Sequence, residues 1–180
     1  MSRPKVAFQG VPGAFSDQAC AEFVPDHEAV AFDSFEAAVA AVQTGQCELG
    51  CLPVHNVTAG PVPEMARLLP VSGLTVVEER DLIVRQNLMA LPGVKLQELT
   101  AIASHPMALG QCARFLMDLA TPLETAFDTA GAARDLAESG DRQRGVIAAR
   151  RAAELYGLEI LAEDIQDDPN NWTRFAIVKR

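Results

Sequence analysis

Along this chain, short apolar runs alternate with stretches in which apolar side chains recur every third or fourth position. Lys5 to Gln9 reads as a buried strand that ends at Gly10-Val11-Pro12-Gly13, and Ser16 to Phe23 as a helix with Ser16 placed as its cap. Asp33-Ser34-Phe35-Glu36 offers a capping box, after which Phe35, Ala38, Val39 and Val42 form an apolar stripe that stops at Gly45. Leu49 to Pro53 and Leu74 to Val77 read as short strands around a Gly/Pro-rich turn and a short helix near Glu64 to Leu69.

The alternation then resumes. Strands are expected at Asn87 to Leu91 and Thr100 to Ala103, and a helix opened by Pro106 turns Leu109, Cys112, Ala113 and Leu116 inward. A strand near Leu123 to Phe127 precedes a helix capped by Asp128 or Thr129 and closed at Gly140. Val146 to Ala148, a helix stopping at Gly157, Leu158 to Ala162 and Ala176 to Val178 complete the pattern. Strands interleaved with helices predict a largely parallel α/β architecture, in which ligands gather at the carboxyl ends of strands.

A chain of 180 residues, 49% hydrophobic and 22% charged, suffices for one compact unit or two small lobes. The formal net charge of −9 argues against a nucleic-acid partner, which needs a basic face, and means that an anionic ligand must be attracted locally. No window approaches a membrane span and no apolar leader precedes Val6, so a cytoplasmic protein is expected. Cys20, Cys47, Cys51 and Cys112 lack a CxxC spacing and lie in apolar segments, which predicts buried thiols and no metal.

Four polar constellations interrupt the apolar pattern. Gly13-Ala14-Phe15-Ser16 joins a strand to a helix N-terminus, where free N–H groups can hold a carboxylate, or simply make a turn. His55-Asn56 ends a strand before a glycine turn; the imidazole could act as base, acid or cation, or serve a structural end. Ser104-His105-Pro106 stands where a second anion site would form. Asn171-Trp172-Thr173-Arg174-Phe175 places an amide, a hydroxyl and a guanidinium at a strand entrance, able to supply a hydrogen-bond donor and a bidentate carboxylate clamp.

Together with Ala90-Leu91-Pro92-Gly93-Val94, Asp128-Thr129-Ala130-Gly131 and Ala152-Ala153-Glu154-Leu155-Tyr156-Gly157, these segments resemble the catalytic domain of prephenate and arogenate dehydratases. The likeness runs from Val6 to the end and leaves no room for the regulatory ACT domain of that family. It implies a two-lobed periplasmic-binding-protein type II-like fold with an inter-lobe cleft, residues 1–77 plus 164–180 forming one lobe and 78–163 the other. It also implies a carbon–oxygen lyase of phenylalanine biosynthesis that uses no cofactor, takes a small dicarboxylate and, by analogy, forms a homodimer. On this resemblance Thr173 assists departure of the ring hydroxyl, Arg174 binds a carboxylate, and His55 joins them as a catalytic candidate. Gly13, Ala14, Phe15, Ser16, Asn56, Ser104, His105, Thr129, Asn171 and Phe175 are the expected substrate-binding positions.

The chain departs from the family pattern at His55 and Val57, where glutamate and serine are usual, at Gln86 in place of histidine, and at Met107 in place of glutamine. Each change alters charge or hydrogen bonding. Two other readings therefore stand beside dehydration: a non-aromatising prephenate decarboxylase, and a binder of anionic metabolites without turnover.

Overall fold

Val6, Ala7 and Phe8 are sealed from solvent in β1 (Lys5–Gln9), and the rest of the first sheet grows around that strand. The computed structural model describes residues 3–180, which divide into two compact units: residues up to 11, 15–84 and 170–180, and residues 12–14 and 85–169.

In the first unit β1 pairs in parallel with β2 (Glu28–Phe32) and β3 (Leu49–Asn56). The sheet continues through β11 (Trp172–Lys179) to β5 (Thr75–Ile83), both antiparallel, giving the order β2-β1-β3-β11-β5, with the two-residue β4 (Gly60–Pro61) against β3. Helix α1 (Phe15–Phe23) covers one face, where Ala19 and Cys20 meet Phe8, Cys51, Phe175 and Ile177. Helices α2 (Phe35–Gln43) and α3 (Pro63–Leu68) cover the other, where Val39, Val42 and Met65 meet Ala7, Leu52, Ala176 and Val178. Residues 175 and 177 thus face α1 and residues 176 and 178 face α2, as the two-residue period of a strand requires.

The second unit holds β6 (Asn87–Ala90), β7 (Ala101–Ser104), β8 (Leu123–Thr125), β9 (Arg144–Ala148) and β10 (Glu159–Ala162) in the order β10-β6-β9-β7-β8. Strands β7, β8 and β9 are parallel, so their carboxyl ends share one edge. The helices that follow them, α4 (Pro106–Gln111), α6 (Thr129–Ser139) and α7 (Arg150–Tyr156), all begin there. Gly140 and Gly157 end α6 and α7 in the left-handed conformation that a Cβ disfavours.

Several sequence expectations change. Both sheets are mixed rather than largely parallel, because β11 returns antiparallel between β3 and β5, and β6 runs against β9. The expected strand at 74–77 is a nine-residue strand whose polar middle, Glu78 to Asp81, conceals it in the sequence. The single helix expected from Pro106 breaks at Cys112, and α5 (Ala113–Leu119) follows. The break is held by Asp167, whose N–H donates to the Gln111 carbonyl at 2.7 Å and whose carboxylate accepts from Arg114 N at 3.1 Å. Ser34 caps α2 through Ala37 N at 3.1 Å. Ser16 lies inside α1, whose cap position is Ala14, a residue with no side-chain acceptor. The four cysteines are buried free thiols. Among the described residues no helix is long and apolar enough to cross a membrane.

Candidate functional site

Where β3 ends beside the start of β11, a one-residue irregularity decides which side chains meet. Arg174 pairs with His55 but Phe175 pairs with Pro53, so Val54 is an extra residue in β3. Cys51 and Pro53 share the α1 face; past the bulge, that face is taken by Asn56 instead of His55. Without the bulge Asn56 would point with Leu52 toward α2.

The re-aimed Asn56 ties the strand entrance together. Its Nδ2 lies 3.0 Å from Thr173 Oγ1, 3.0 Å from the Trp172 carbonyl and 3.0 Å from Asn171 Oδ1. Two amide hydrogens serve these three acceptors, so one is shared. Its Oδ1 accepts from the N–H groups of Thr58 and Ala59, both at 2.9 Å, closing the turn that leads to β4. Because Asn56 donates to Thr173 Oγ1, the Thr173 hydroxyl keeps its own proton for another acceptor.

Arg174 lies on the opposite face. Its guanidinium forms a two-pronged pair with Asp81, Nε to Oδ1 at 2.7 Å and the terminal nitrogen to Oδ2 at 3.0 Å, and lies 5.2 Å from the Trp172 ring centroid. The guanidinium holds the Asp81 carboxyl below its usual range, while Asp81 raises Arg174. His55 shares this face, its ring 5.8 Å from that of Trp172. The picture of an adjacent hydroxyl and guanidinium converging on one ligand therefore needs correction: strand alternation sends Thr173 and Arg174 to opposite faces, and Asp81 already occupies the cation. Phe175, expected to touch a ligand, is 2% exposed and packs edge-on against Phe23 in the core.

The second unit gathers its candidates at the shared strand edge. Ser104, 0% exposed, donates to the Ile147 carbonyl at 2.7 Å and so locks β7 to β9; its hydroxyl is committed to the sheet. His105 Nδ1 accepts from Met107 N at 3.1 Å and caps α4, which fills with an imidazole the place expected for an anion. Thr129 opens α6, whose first turn is capped by the Asp128 carboxylate through Gly131 N. Gly13 adopts φ +90° and approaches so closely that a Cβ would lie 3.1 Å from the Tyr156 ring and 3.2 Å from Ala152 Cα. The Tyr156 hydroxyl donates to the Pro12 carbonyl at 2.7 Å, and Ala14 belongs to the same unit. Gln86 is buried, with its amide nitrogen 2.9 Å from Gln111 Oε1.

Thus Asn56, Asn171 and Thr173 form one hydrogen-bonded group, while His55 and Arg174 each lie beside Trp172 on the reverse of the same strands. Phe15 and Ser16 begin α1 in the first unit; Gly13, Ala14, Ser104, His105 and Thr129 belong to the second. A depression of 630 Å³ lined by Arg3, Lys5, Cys47, Lys179 and Arg180 lies by the amino end of β1, the opposite end of the first sheet from Asn56.

The sequence model of the prephenate dehydratase family matches residues 6–180. This chain belongs to the prephenate dehydratase family. It is 42% identical over 179 residues to the chloroplastic arogenate dehydratase/prephenate dehydratase 1 of Arabidopsis thaliana, a match that covers 99% of this chain and 46% of that protein. It is 39% identical over 175 residues to a bifunctional N-acyl-homoserine lactone acylase/prephenate dehydratase of Komagataeibacter europaeus, covering 97% and 62%. The crystal structure of the prephenate dehydratase of Arthrobacter aurescens in complex with L-Phe superimposes with a TM-score of 0.84 at 26% identity, over 98% of this chain and 60% of that one. The chain spans about half the length of the curated plant relatives it matches.

Within this member of the prephenate dehydratase family, Asp81, Val54 and Tyr156 shape the site although sequence reasoning does not single them out. Asp81 sits in a segment with no apolar alternation, and a bulge leaves no sequence mark of its own. Tyr156 stands out in the sequence only as part of the Ala152-to-Gly157 motif.

Proposed function

We propose that this chain catalyses the decarboxylating dehydration of prephenate or arogenate, as a carbon–oxygen lyase. The C–C bond to the ring carboxylate breaks, its electron pair enters the ring, and the C–O bond on the opposite carbon breaks; a proton joins the leaving hydroxyl to give water. The products are carbon dioxide, water and phenylpyruvate or phenylalanine. Aromatisation supplies the driving force, so the protein's task is to hold the substrate and stabilise the leaving oxygen.

The observation that carries this reading is the Asn56–Thr173 hydrogen bond at 3.0 Å. An amide donating to Oγ1 polarises the hydroxyl and fixes its rotor, leaving the O–H directed to the departing oxygen. Asn171, 8% exposed and tied to the same amide, stiffens the group. With Arg174 paired to Asp81, carboxylate binding falls to backbone N–H groups, of which those opening α1 have no side-chain acceptor at Ala14. Family membership over residues 6–180 supports the same reaction.

Incubation of the purified chain with prephenate, followed by detection of phenylpyruvate and carbon dioxide, tests the reading. Formation of phenylpyruvate is expected, as is phenylalanine from arogenate. Release of carbon dioxide with retention of the hydroxyl would indicate a decarboxylase instead, and binding with no product a metabolite-binding protein.

A further inference from the structure

At the end of the first sheet away from Asn56, β1 and β3 begin and β11 finishes. Arg3, Lys5, Lys179 and Arg180 are thereby brought around the 630 Å³ depression, and Glu48 is the one acidic residue among the described residues that line it. Acidic residues outnumber basic ones in this chain by 24 to 15, so a cation readily finds a carboxylate: Arg85, Arg144, Arg150 and Arg174 each have one within 2.7 Å. Lys5, Lys179 and Arg180, all exposed, pair with none among the described residues. Arg3 donates to the carbonyls of Pro25, Asp26 and His27, which fix its guanidinium without cancelling the charge.

We propose that this depression binds the phosphoryl group of a small soluble metabolite, with Lys5 and Arg180 as its principal cations. Ala7 and Val178 face α2, so the two-residue period puts Lys5 and Arg180 on that same face, on the strands either side of β3. Those strands are roughly 9.6 Å apart, twice the sheet spacing, a gap that two long side chains span to one oxyanion. Gly45, at φ +78°, lets the Arg180 guanidinium lie against the backbone, since a Cβ there would be 3.3 Å from its terminal nitrogen. Glu48 does not fill the gap; its Oε1 is 3.6 Å from Nε2 of His27, on the β2 side. Buried Val42 and Cys47 give the depression an apolar floor for the rest of the ligand. A phosphomonoester carries a charge of about −1.5 to −2 on three oxygens, so separated donors can share it, whereas a carboxylate suits a single fork. The volume falls within the range of about 300–1,000 Å³ usual for small-molecule sites. This site does not depend on the reaction proposed above, although β3 and β11 run from it to Asn56 and Thr173.

Isothermal titration calorimetry of the full chain with inorganic pyrophosphate at low ionic strength tests the site. Saturable binding is expected, weakened at least about tenfold by Lys5→Gln and by Arg180→Gln and retained in Lys5→Arg, which keeps the charge. Arg67→Gln removes an exposed cation from α3, outside the depression, and should leave the affinity within about twofold. Thermal melting identifies any variant that fails to fold. Absence of saturable binding would overturn the proposal, as would an affinity indifferent to Lys5→Gln and Arg180→Gln or lowered equally by Arg67→Gln. Attachment to phosphatidic acid vesicles without pyrophosphate binding would also overturn it, by making the depression a membrane contact.

Discussion

The Asn56 carboxamide meets the Thr173 hydroxyl at 3.0 Å only because Val54 bulges out of β3 and turns the next residues over. Position 56 would otherwise share the α2 face with Leu52, leaving Thr173 without this partner. A single backbone irregularity therefore couples the topology of the first sheet to its chemistry.

Deleting Val54 removes the extra residue, so β3 should become regular with His55 still opposite Arg174 and Asn56 still on the face of Thr173. The variant is expected to keep most of its α/β circular dichroism and its prephenate turnover. Loss of turnover in a folded deletion variant would show that the bulge itself, and not only the face it gives Asn56, is needed for activity.

Asn56→Asp keeps the acceptor for Thr58 and Ala59 but replaces the donor to Thr173 by a carboxylate. Thr173 would then give its proton to that new carboxylate rather than to a ligand. The expected result is a drop in kcat of about 10²-fold or more with a smaller change in KM, measured by steady-state kinetics.

The Arg174–Asp81 pair is half-exposed, so Asp81→Asn should shift the urea midpoint only slightly at neutral pH. The sign of its pH dependence is fixed. Asp81 titrates below its usual value of 3.8 in the folded chain, chiefly because it accepts hydrogen bonds from Arg174. Its stabilising contribution is complete above that value and disappears as pH falls through the depressed folded value. Wild type and Asp81→Asn should therefore differ most near neutrality and converge in strong acid, as urea titrations at several pH values would show.

Gly13→Ala places a Cβ at φ +90° and 3.1–3.3 Å from Tyr156 and Ala152. Backbone strain and crowding together should cost about 2 kcal/mol or more of stability. Denaturant unfolding of the variant checks this, and an unchanged midpoint would mean that the loop relaxes freely.

Burial lifts the Cys112 thiol to about 12, helped by the nearby Asp167 carboxylate, and Cys20 rises too, chiefly through its hydrogen bond with Cys51. Native protein at mild alkaline pH should react negligibly with an aromatic disulfide reagent, and all four thiols should react once urea is added.

Much of the fold is legible from periodicity and stop signals. The apolar stripe from Phe35 to Val42, the glycines at 140 and 157 and the solid run at β1 each appear where local pattern and tertiary packing agree. Legibility fails where a long-range partner overrides the local pattern. β5 is held by β11, almost a hundred residues away, and so can carry four charged residues in succession. The helix break at Cys112 depends on Asp167, and nothing near Cys112 announces it. At the candidate site the polar residue types are readable, but not the faces they occupy. Thr173 and Arg174 look like a pair in sequence, and the pleat separates them.

The most direct measurement is a double-mutant cycle on phenylpyruvate formation, with Asn56→Asp, Thr173→Val and the two combined. If Asn56 acts through the Thr173 hydroxyl, each single variant falls by about 10²-fold or more and the double variant is scarcely slower than either. Near-wild-type rates in Thr173→Val, or losses that multiply in the double variant, would contradict the account.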